Sequence, residues 1–388
     1  MRFEFATAGR VLFGPGVLSE LGPIARSFGA HALVVFGGDA ERGRQALDLL
    51  QEGGVETFAS SIRGEPTLEM VRQAVGLGQQ AEAQLVVGFG GGSVLDLAKA
   101  AAALLTNRGD PLDYLEVIGG GQALHQPSLH QPSLPLIAIP TTSGSGSEVT
   151  RNAVLLSPLH RVKASLRGPT LLPKLALVDP SLTLSMPPEL TASTGLDALT
   201  QLIEPFLSRR ANPLVEALCR EGMARSARSL RVAYYDGMNL SAREDLALAS
   251  LFGGMALANA GLGAVHGLAA AIGGAFPAPH GAVCACLLPP VFEANWQAVQ
   301  RMGSEETLSR FREVSAILTG KPEAAVEEAI QWLKGLVLEL RIPGLASYGM
   351  AAADFPALIE QAARTSSMQS NPAPMEADEL SQVLAYAL

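Results

Sequence analysis

Short apolar runs alternate with longer amphipathic stretches in the first half of the chain. The runs that predict β-strands are residues 32–36 (ALVVF), 84–89 (QLVVGF), 134–139 (LPLIAI) and 175–178 (LALV), each followed by Gly, Pro or Asp. The stretches between them have helical periodicity, with predicted starts near Gly16, Ala40, Thr67 and Ser93. Because the strands are apolar along almost their whole length, we expect a parallel sheet covered on both faces by helices.

The strand pattern stops near Pro187, and helical periodicity continues to the end of the sequence. We therefore predict an α/β domain over residues 1–185 and an all-helical domain over residues 186–388. From Leu246 to Phe292 the sequence contains no Asp, Glu, Lys or Arg. Gly, Pro, Asn and His interrupt this segment where a bilayer span requires an unbroken apolar run, so it predicts buried helices of a globular core.

The composition and charge of the chain limit the kinds of binding partner that we expect. The 388 residues carry a formal net charge of −9, and the basic residues form no cluster that would bind a phosphate backbone or an anionic membrane. The three cysteines, Cys219, Cys284 and Cys286, are too few and odd in number for a disulfide framework. The N-terminal segment has mixed charge, unlike a signal peptide. We expect a cytoplasmic protein without nucleic-acid or membrane partners.

A tandem copy of HQPSL begins at His125 and again at His130, in a segment rich in Gly and Pro. Surface loops tolerate such duplications, and a duplicated loop repeats its histidine automatically. We interpret the repeat as a surface loop, and a metal-binding pair of His125 and His130 is the alternative.

A glycine-rich segment, GFGGGSVLDLAKA from Gly88 to Ala100, follows one predicted strand and begins a helix. Glycines let the backbone approach a diphosphate, and the start of a helix offers N–H groups and a positive dipole end. The pattern departs from GxGxxG, so a simple tight turn between strand and helix is the alternative. A second loop, PTTSGSGSEVTRNAV from Pro140 to Val154, follows another strand and could donate several hydrogen bonds. This loop is predicted to line the other side of the same nucleotide-binding cleft, and a flexible linker is the alternative.

Possible metal ligands lie in the helical half. Asp197 and Gln201 in GLDALTQLIEP are four residues apart, so a helix points them the same way, with Glu204 roughly below. A solvated polar face is the ordinary explanation of such a pair, but apolar neighbours favour a functional one. His266 and His280 lie in the charge-free segment, where each buried imidazole needs a hydrogen-bond partner or a metal. Separately they could be a core histidine and a helix-cap residue, whereas together they favour a site.

The two loops and GLDALTQLIEP, together with VHGLAAAIGGAFPAPHG at residues 265–281, FGPG at residues 13–16 and VDPSLT at residues 178–183, resemble the iron-containing (group III) alcohol dehydrogenases over nearly the whole chain. The resemblance implies an N-terminal Rossmann-like domain and a C-terminal helical domain, as in dehydroquinate synthase-like architectures, with the metal in the cleft. It implies NAD(P)-dependent hydride transfer between alcohols and aldehydes or ketones, with Fe2+ or Zn2+ as Lewis acid. A homodimer or larger homo-oligomer is also implied.

The family's residue roles carry over as follows. The diphosphate is held by Gly90, Gly91, Gly92 and Ser93, the adenosine and ribose are lined by Thr141, Thr142 and Ser145, and the cofactor group also includes Asp96 and Lys163. The ligand set of one aspartate and three histidines falls on Asp197, His266 and His280, with Gln201 in the remaining position. A glutamine binds only through its neutral amide oxygen, a weaker donor than imidazole. Asp197, His266 and His280 are also the expected catalytic residues.

Two further positions affect the expected chemistry. Ala270 lies where many members of the family carry another histidine near the nicotinamide, so we assign no protein base. The first predicted strand ends in FGGDAER, where Asp39 could bind the ribose hydroxyls of NAD. Alternatively, Gly37 and Gly38 leave room for the 2′-phosphate of NADP, with Arg42 or Arg44 as its partner.

Competing functions remain at this point. A maleylacetate reductase-like, metal-independent enzyme of the same superfamily would explain the changed ligand. A dehydroquinate-synthase-like lyase shares the architecture but needs a basic pocket, and a non-enzymatic nucleotide-binding protein would bind cofactor without turning over an alcohol or aldehyde.

Overall fold

The computed structural model describes residues 2–38, 40–116, 129–160 and 162–388. The chain forms two compact units: one comprises Thr7–Thr142 and Gly146–Thr183, and the other comprises Met1–Ala6, Ser143–Ser145 and Leu184–Leu388. We call them the sheet unit and the helical unit. The predicted domain boundary after residue 185 stays a prediction.

The sheet unit contains a six-stranded sheet and a separate β-hairpin. Its strands are β1 Val11–Phe13, β2 His31–Gly37, β3 Glu56–Ile62, β4 Leu85–Gly90, β5 Leu136–Pro140, β6 Asn152–Ser157, β7 Val162–Arg167 and β8 Leu175–Val178. Its helices are α1 Leu21–Phe28, α2 Ala40–Glu52, α3 Leu68–Gln80 and α4 Gly92–Leu104. The sheet order is β1-β8-β5-β4-β2-β3, and every neighbouring pair is parallel.

Alternate side chains of the central strands pack on opposite faces of the sheet. Leu33 and Val35 belong to a cluster that includes residues of α3 and α4, whereas Val34 and Phe36 belong to one that includes residues of α1 and α2. Burial on both faces explains why these strands are apolar at successive positions. The predicted α/β class is therefore confirmed, with all four predicted strands and the helices between them in place.

The order of the strands indicates the edge at which open parallel sheets commonly bind ligands. From β2 the chain moves outward to β3, and it then returns to the other side of β2 as β4. The direction of strand addition thus reverses between β2 and β4, and open parallel sheets bind ligands beside such a reversal, at the carboxyl ends of the strands. Gly37 ends β2 and is followed by Gly38, and Gly90 ends β4 and is followed by Gly91 to Ser93.

The helical unit has helices and no strand over its described residues 184–388. Its helices are α5 Pro188–Leu207, α6 Pro213–Tyr235, α7 Leu240–Ala260, α8 Ala264–Ala275, α9 His280–Met302, α10 Glu305–Thr319, α11 Val326–Glu339, α12 Phe355–Ala363, α13 Ser366–Ser370 and α14 Ala377–Ala387. One hydrophobic cluster joins α5, α6 and α7 to parts of α9, α10 and α11, and a second joins α8 and α9 to α12 and α14. The predicted all-helical domain is confirmed.

Among the described residues, no single helix has the length and apolar content needed to cross a membrane. The consecutive helices α7 and α8 reach that threshold only when they are taken together, and they meet at a bend of 96°. The charge-free segment includes α7 from Leu246 onward and all of α8, and most residues of both helices are buried within the helical unit.

Candidate metal centre and cofactor-binding loops

One face of α5 carries three buried polar side chains. Asp197, Gln201 and Glu204 are 4%, 2% and 5% exposed. Their spacing of four and then three residues places them on the same side of the helix. Neighbouring positions such as Leu196 and Leu199 are fully buried in the apolar core, so this polar face is enclosed and is not a solvated surface.

Two further helices bring three more polar side chains to this face. His266 lies in the first turn of α8, His280 is the first residue of α9, and Cys284 follows one turn later. Asp197, His266, His280 and Cys284 each offer one ligand atom, and these four atoms all lie within 4.8 Å of one another. The structure therefore brings together the carboxylate and both imidazoles that the sequence predicted, and it adds a thiol that was not predicted.

Distances within the cluster match those between ligands of one ion. His266 Nε2 is 3.3 Å from Asp197 Oδ1, and His280 Nε2 is 3.8 Å from the same oxygen. The sulfur of Cys284 is 3.6 Å from His280 Nε2. Donor atoms bound about 2.1 Å from a common tetrahedral centre lie about 3.4 Å apart, so these three separations are close to those of a coordination shell.

Glu204 fixes the orientation of His266. Its Oε2 atom lies 2.7 Å from Nδ1 of His266, and its Oε1 atom accepts a 2.7 Å hydrogen bond from the backbone N–H of Val265. In the neutral ring, a carboxylate on one ring nitrogen makes that nitrogen the protonated one and leaves Nε2 with a lone pair. Nε2 is the atom that faces Asp197, as a metal ligand requires.

Several buried polar atoms of the cluster have no hydrogen-bond partner among the described residues. They are Asp197 Oδ1, Gln201 Oε1 and His266 Nε2. Leaving one such atom unsatisfied costs about 1–3 kcal/mol, so three in one enclosed place indicate a ligand that satisfies them together. Because two are oxygens and the third is an imidazole nitrogen, the residues fit a divalent cation.

The electrostatics of the cluster favour an ionised Asp197 and an uncharged Cys284 thiol. Burial opposes ionisation of Asp197, but the imidazoles of His266 and His280 and the amide of Gln201 hold its pKa at about 2. Burial also opposes the imidazolium form of His266, yet the carboxylates of Glu204 and Asp197 hold its pKa well above the usual value. Burial raises the pKa of the Cys284 thiol to about 12. In the absence of a metal, His266 therefore keeps a proton that a cation would displace.

The glycine-rich loop of the sheet unit begins α4 without a side-chain cap. Gly91 is the N-cap residue and makes no side-chain hydrogen bond to the helix, which leaves this helix start open to an anion. A Cβ atom on Gly90 would lie 2.5 Å from Val94, and one on Gly91 would lie 3.2 Å from Thr142 Oγ1. Gly90 thus permits close packing of helix on strand, while Gly91 permits close approach of the loop that follows β5.

Buried charged side chains of α4 form hydrogen bonds to the loop that follows β5. Lys99 Nζ donates hydrogen bonds to Thr150 Oγ1 at 2.8 Å and to the backbone oxygen of Asn152 at 2.7 Å. Asp96 accepts from Ser147 Oγ at 2.6 Å, and it lies 3.3 Å from Lys99 Nζ. Sequence reasoning missed Lys99, because a lysine in an Ala-rich helix has no distinguishing pattern. Its network positions the loop, and a direct contact of Asp96 with cofactor stays a prediction.

The other residues that were predicted to bind the cofactor have different environments. Gly38 has a left-handed backbone with φ 86°, a conformation that favours glycine, and its N–H donates to Ile62. Lys163 on β7 is largely buried and forms a 3.0 Å ion pair with Glu65. Thr141, Thr142, Ser145, Gly92 and Ser93 are half-buried. All these cofactor assignments stay predictions.

Some predicted residues lie outside the described part of the chain. They are Asp39 and His125, and the side chain of Arg42 is likewise not described. Arg44, the other possible partner of a 2′-phosphate, forms an exposed 3.1 Å ion pair with Glu41.

Comparison with known proteins decides the family. A family profile for iron-containing alcohol dehydrogenase matches residues 8–180, and a C-terminal profile of the same family matches residues 191–388. The chain belongs to the iron-containing alcohol dehydrogenase family. It is accordingly an oxidoreductase of that family, with a candidate metal site in its helical unit, and the resemblance predicted from the motifs is confirmed.

Individual relatives of this family cover almost the whole chain. The 1,3-propanediol dehydrogenase of Klebsiella pneumoniae is 32% identical over 99% of this chain and 98% of its own length. A crystal structure of 1,3-propanediol oxidoreductase superposes with a TM-score of 0.90 at 31% identity, covering 100% of both chains. Sulfoacetaldehyde reductase from Bifidobacterium kashiwanohense, solved in complex with NAD+, has a TM-score of 0.85 at 27% identity, covering 100% of this chain and 99% of its own.

Proposed function

We propose that the protein interconverts alcohols and aldehydes or ketones with NAD or NADP, using a divalent cation, Fe2+ or Zn2+. Asp197, His266 and His280 are its proposed ligands and catalytic residues, and Gln201 is a weaker fourth ligand. The observation that carries the proposal is the group of buried, unpartnered atoms on Asp197, Gln201 and His266. In a metal-independent enzyme Asp197 and His266 would retain their 3.3 Å ion pair, but Gln201 Oε1 would be buried without a compensating interaction.

Each residue has a distinct part in holding the ion. Asp197 supplies the negative charge, and its low pKa keeps that charge throughout the physiological range. His266 is oriented by Glu204, and His280 is placed by the start of α9. When bound, the cation polarises an alcohol or carbonyl oxygen while the nicotinamide exchanges hydride with the adjoining carbon.

Gln201 takes the place that the resemblance assigns to a third histidine. Its Nε2 donates to the backbone oxygen of Gly144 at 3.3 Å, and its Oε1 is buried without a partner. The hydrogen bond at Nε2 orients the amide and leaves the oxygen available as a neutral ligand. An amide oxygen binds Fe2+ or Zn2+ more weakly than imidazole, so Gln201 would hold the cation less tightly than a histidine would.

We propose that the carboxyl ends of β2, β4 and β5 bind the dinucleotide. The support is the uncapped start of α4, the close approach of Gly91 to Thr142 and the reversal of strand order between β2 and β4. Both NAD and NADP fit a strand that ends in Gly37 and Gly38. The substrate is a small or medium alcohol or aldehyde, with 1,3-propanediol as a first test compound because a relative is named for it.

A metal-removal experiment tests this function. Purified protein is analysed for metals and assayed with NADH and NADPH against a panel of aldehydes, before and after chelation and then after readdition of Fe2+ or Zn2+. We expect reduction to disappear with the metal and to return with it. Asp197→Asn is the matched loss-of-ligand variant and should stay inactive after readdition. Reduction that survives complete removal would instead indicate a maleylacetate reductase-like, metal-independent enzyme.

We also propose that the protein is cytoplasmic and forms a homodimer or larger homo-oligomer. The three cysteines are buried and free, as in proteins of a reducing compartment. Multi-angle light scattering measures the assembly directly, and a mass equal to one chain would contradict the oligomer.

A further inference from the structure

Cys284 has a position that its neighbours in the apolar core do not explain. It is fully buried on α9, one helical turn after His280, and its sulfur lies 3.6 Å from His280 Nε2. The same sulfur lies within 4.8 Å of the ligand atoms of Asp197 and His266. The thiol therefore faces the polar cluster.

We propose that Cys284 binds the metal as a thiolate, giving the centre four strong protein ligands: Asp197, His266, His280 and Cys284. This inference rests on the proposed function, since it names a further ligand of the same ion. As the sulfur–metal bond forms, the thiol proton leaves to water, so the step neither consumes nor needs an oxidant.

The distances support coordination by sulfur. With metal–sulfur and metal–nitrogen bonds of about 2.3 and 2.1 Å at a tetrahedral angle, the two donor atoms lie about 3.6 Å apart. The observed separation of Cys284 Sγ from His280 Nε2 is 3.6 Å. A helix places residues four apart on one side, which explains how α9 supplies both ligands from consecutive turns.

A second observation points independently to an ion at this place. Asp197 Oδ1 and His266 Nε2 are buried atoms without hydrogen-bond partners, on side chains that are 5% and 6% exposed. By contrast, Cys286, two residues further along α9, donates its S–H to the backbone oxygen of Ala387 at 3.2 Å. Cys286 has an ordinary core environment, whereas Cys284 lies against possible ligands.

A thiolate changes the character of the centre. The thiolate of Cys284 is an anionic ligand, so it compensates for the missing third histidine. The neutral amide oxygen of Gln201 is then the weakest ligand of the ion. Because sulfur is a soft donor, an Asp-His-His-Cys set favours Zn2+ over Fe2+. We therefore expect protein given equal amounts of the two ions to retain zinc.

Cobalt substitution tests the ligand without using activity. Full-length protein is stripped, loaded with Co2+ and examined for the thiolate-to-cobalt charge-transfer band in the near ultraviolet. We expect the band in the wild type and in Cys286→Ala, the matched control on the same helix, and we expect it to be absent in Cys284→Ser. X-ray absorption of the zinc-loaded wild type should show a sulfur atom at about 2.3 Å from the zinc. This measurement does not depend on whether the variants fold.

The affinity for zinc gives a quantitative readout. Removing a direct ligand should weaken binding by more than the roughly 10- to 100-fold expected for a residue outside the coordination shell. Cys284→Ser should therefore lose more than about 100-fold in a chelator competition, while Cys286→Ala should match the wild type.

The outcomes separate this inference from the proposed function. A metal-loaded, active wild type without the cobalt band or the sulfur scatterer overturns the assignment of Cys284 and leaves the function intact. A sulfur-bound metal in a protein that oxidises no alcohol and reduces no aldehyde supports Cys284 and contradicts the function. Protein that takes up no metal contradicts both.

Discussion

His266 Nδ1 lies 2.7 Å from Glu204 Oε2, and this contact determines which ring nitrogen faces Asp197. Glu204 also accepts the backbone N–H of Val265 at the start of α8, so one carboxylate positions both the ring and the helix that carries it. Gly263 permits this arrangement, because a Cβ atom there would lie 2.8 Å from Glu204 Oε1. The proposed metal centre therefore depends on a residue that is not itself one of its proposed ligands.

Replacing Glu204 with Gln should weaken metal binding by about 10- to 100-fold, the range found for partners of metal-binding histidines. The substitution removes the charge that holds the proton on Nδ1 while keeping the size of the side chain. Competition with a chelator of known affinity measures the change. Glu189→Gln, an exposed position on the same helix, is the control and should match the wild type. Equal affinities of Glu204→Gln and wild type would show that Glu204 does not orient the ligand.

The metal affinity should rise with pH through neutrality. In the absence of metal the pKa of His266 is well above its usual value, so the ring is protonated near pH 7 and binding must expel that proton. Below the raised pKa, affinity increases by up to about tenfold per pH unit for each proton released. Calorimetry in buffers of different ionisation enthalpy counts the protons. An affinity that stays constant from about pH 6 to pH 8 would contradict this assignment.

Restoring an imidazole at position 201 should strengthen metal binding. Gln201→His replaces a weak neutral oxygen by a good nitrogen ligand, and we expect a gain on the order of tenfold for Fe2+. Gln201→Ala is the comparison, since it removes the amide oxygen without adding a ligand. If the histidine variant binds iron no better than the alanine variant, position 201 does not face the ion.

Much of the fold could be predicted from the sequence because its central strands are buried on both faces. The predicted strand at residues 32–36 corresponds to β2, and residues 175–178 to the whole of β8. β3 was missed because this edge strand, ETFASSI, mixes exposed and half-buried positions without regular alternation, has only Ile62 buried and contains two serines. β1 has only three residues, and it forms by pairing with β8, which lies far away in the sequence.

The metal centre was predictable only in part. Asp197 and Gln201 could be paired by helical spacing, and the two histidines stood out in a segment without charge. Cys284 could not be assigned to the metal site, because a cysteine in an apolar helix is usually a core residue. Its only distinguishing feature is that it lies one helical turn after His280. The contact of Glu204 with His266 spans 62 residues of sequence, and no local pattern encodes it.

Adding a methyl group to the glycine loop should impair cofactor binding. In Gly91→Ala the new Cβ would lie 3.2 Å from Thr142 Oγ1, and it would narrow the start of α4 where we place the diphosphate. We expect NADH and NADPH to bind at least about tenfold more weakly, a loss of about 1.4 kcal/mol, as measured by fluorescence titration.

Gly76→Ala is the control for this loop substitution, because it makes the same change on α3 with no atom within 4 Å of the new Cβ. It should leave cofactor affinity unchanged. A Gly91→Ala protein that retains wild-type affinity for both nucleotides would place the diphosphate elsewhere.

The central claim is that one carboxylate and two imidazoles of the helical unit bind a single divalent cation. The most direct measurement is a crystal structure of the zinc-loaded protein with anomalous data collected at the zinc absorption edge. We predict one anomalous peak per chain within about 2.0–2.2 Å of Asp197, His266 and His280. A fully loaded crystal whose only peak lies away from these three residues would contradict the account.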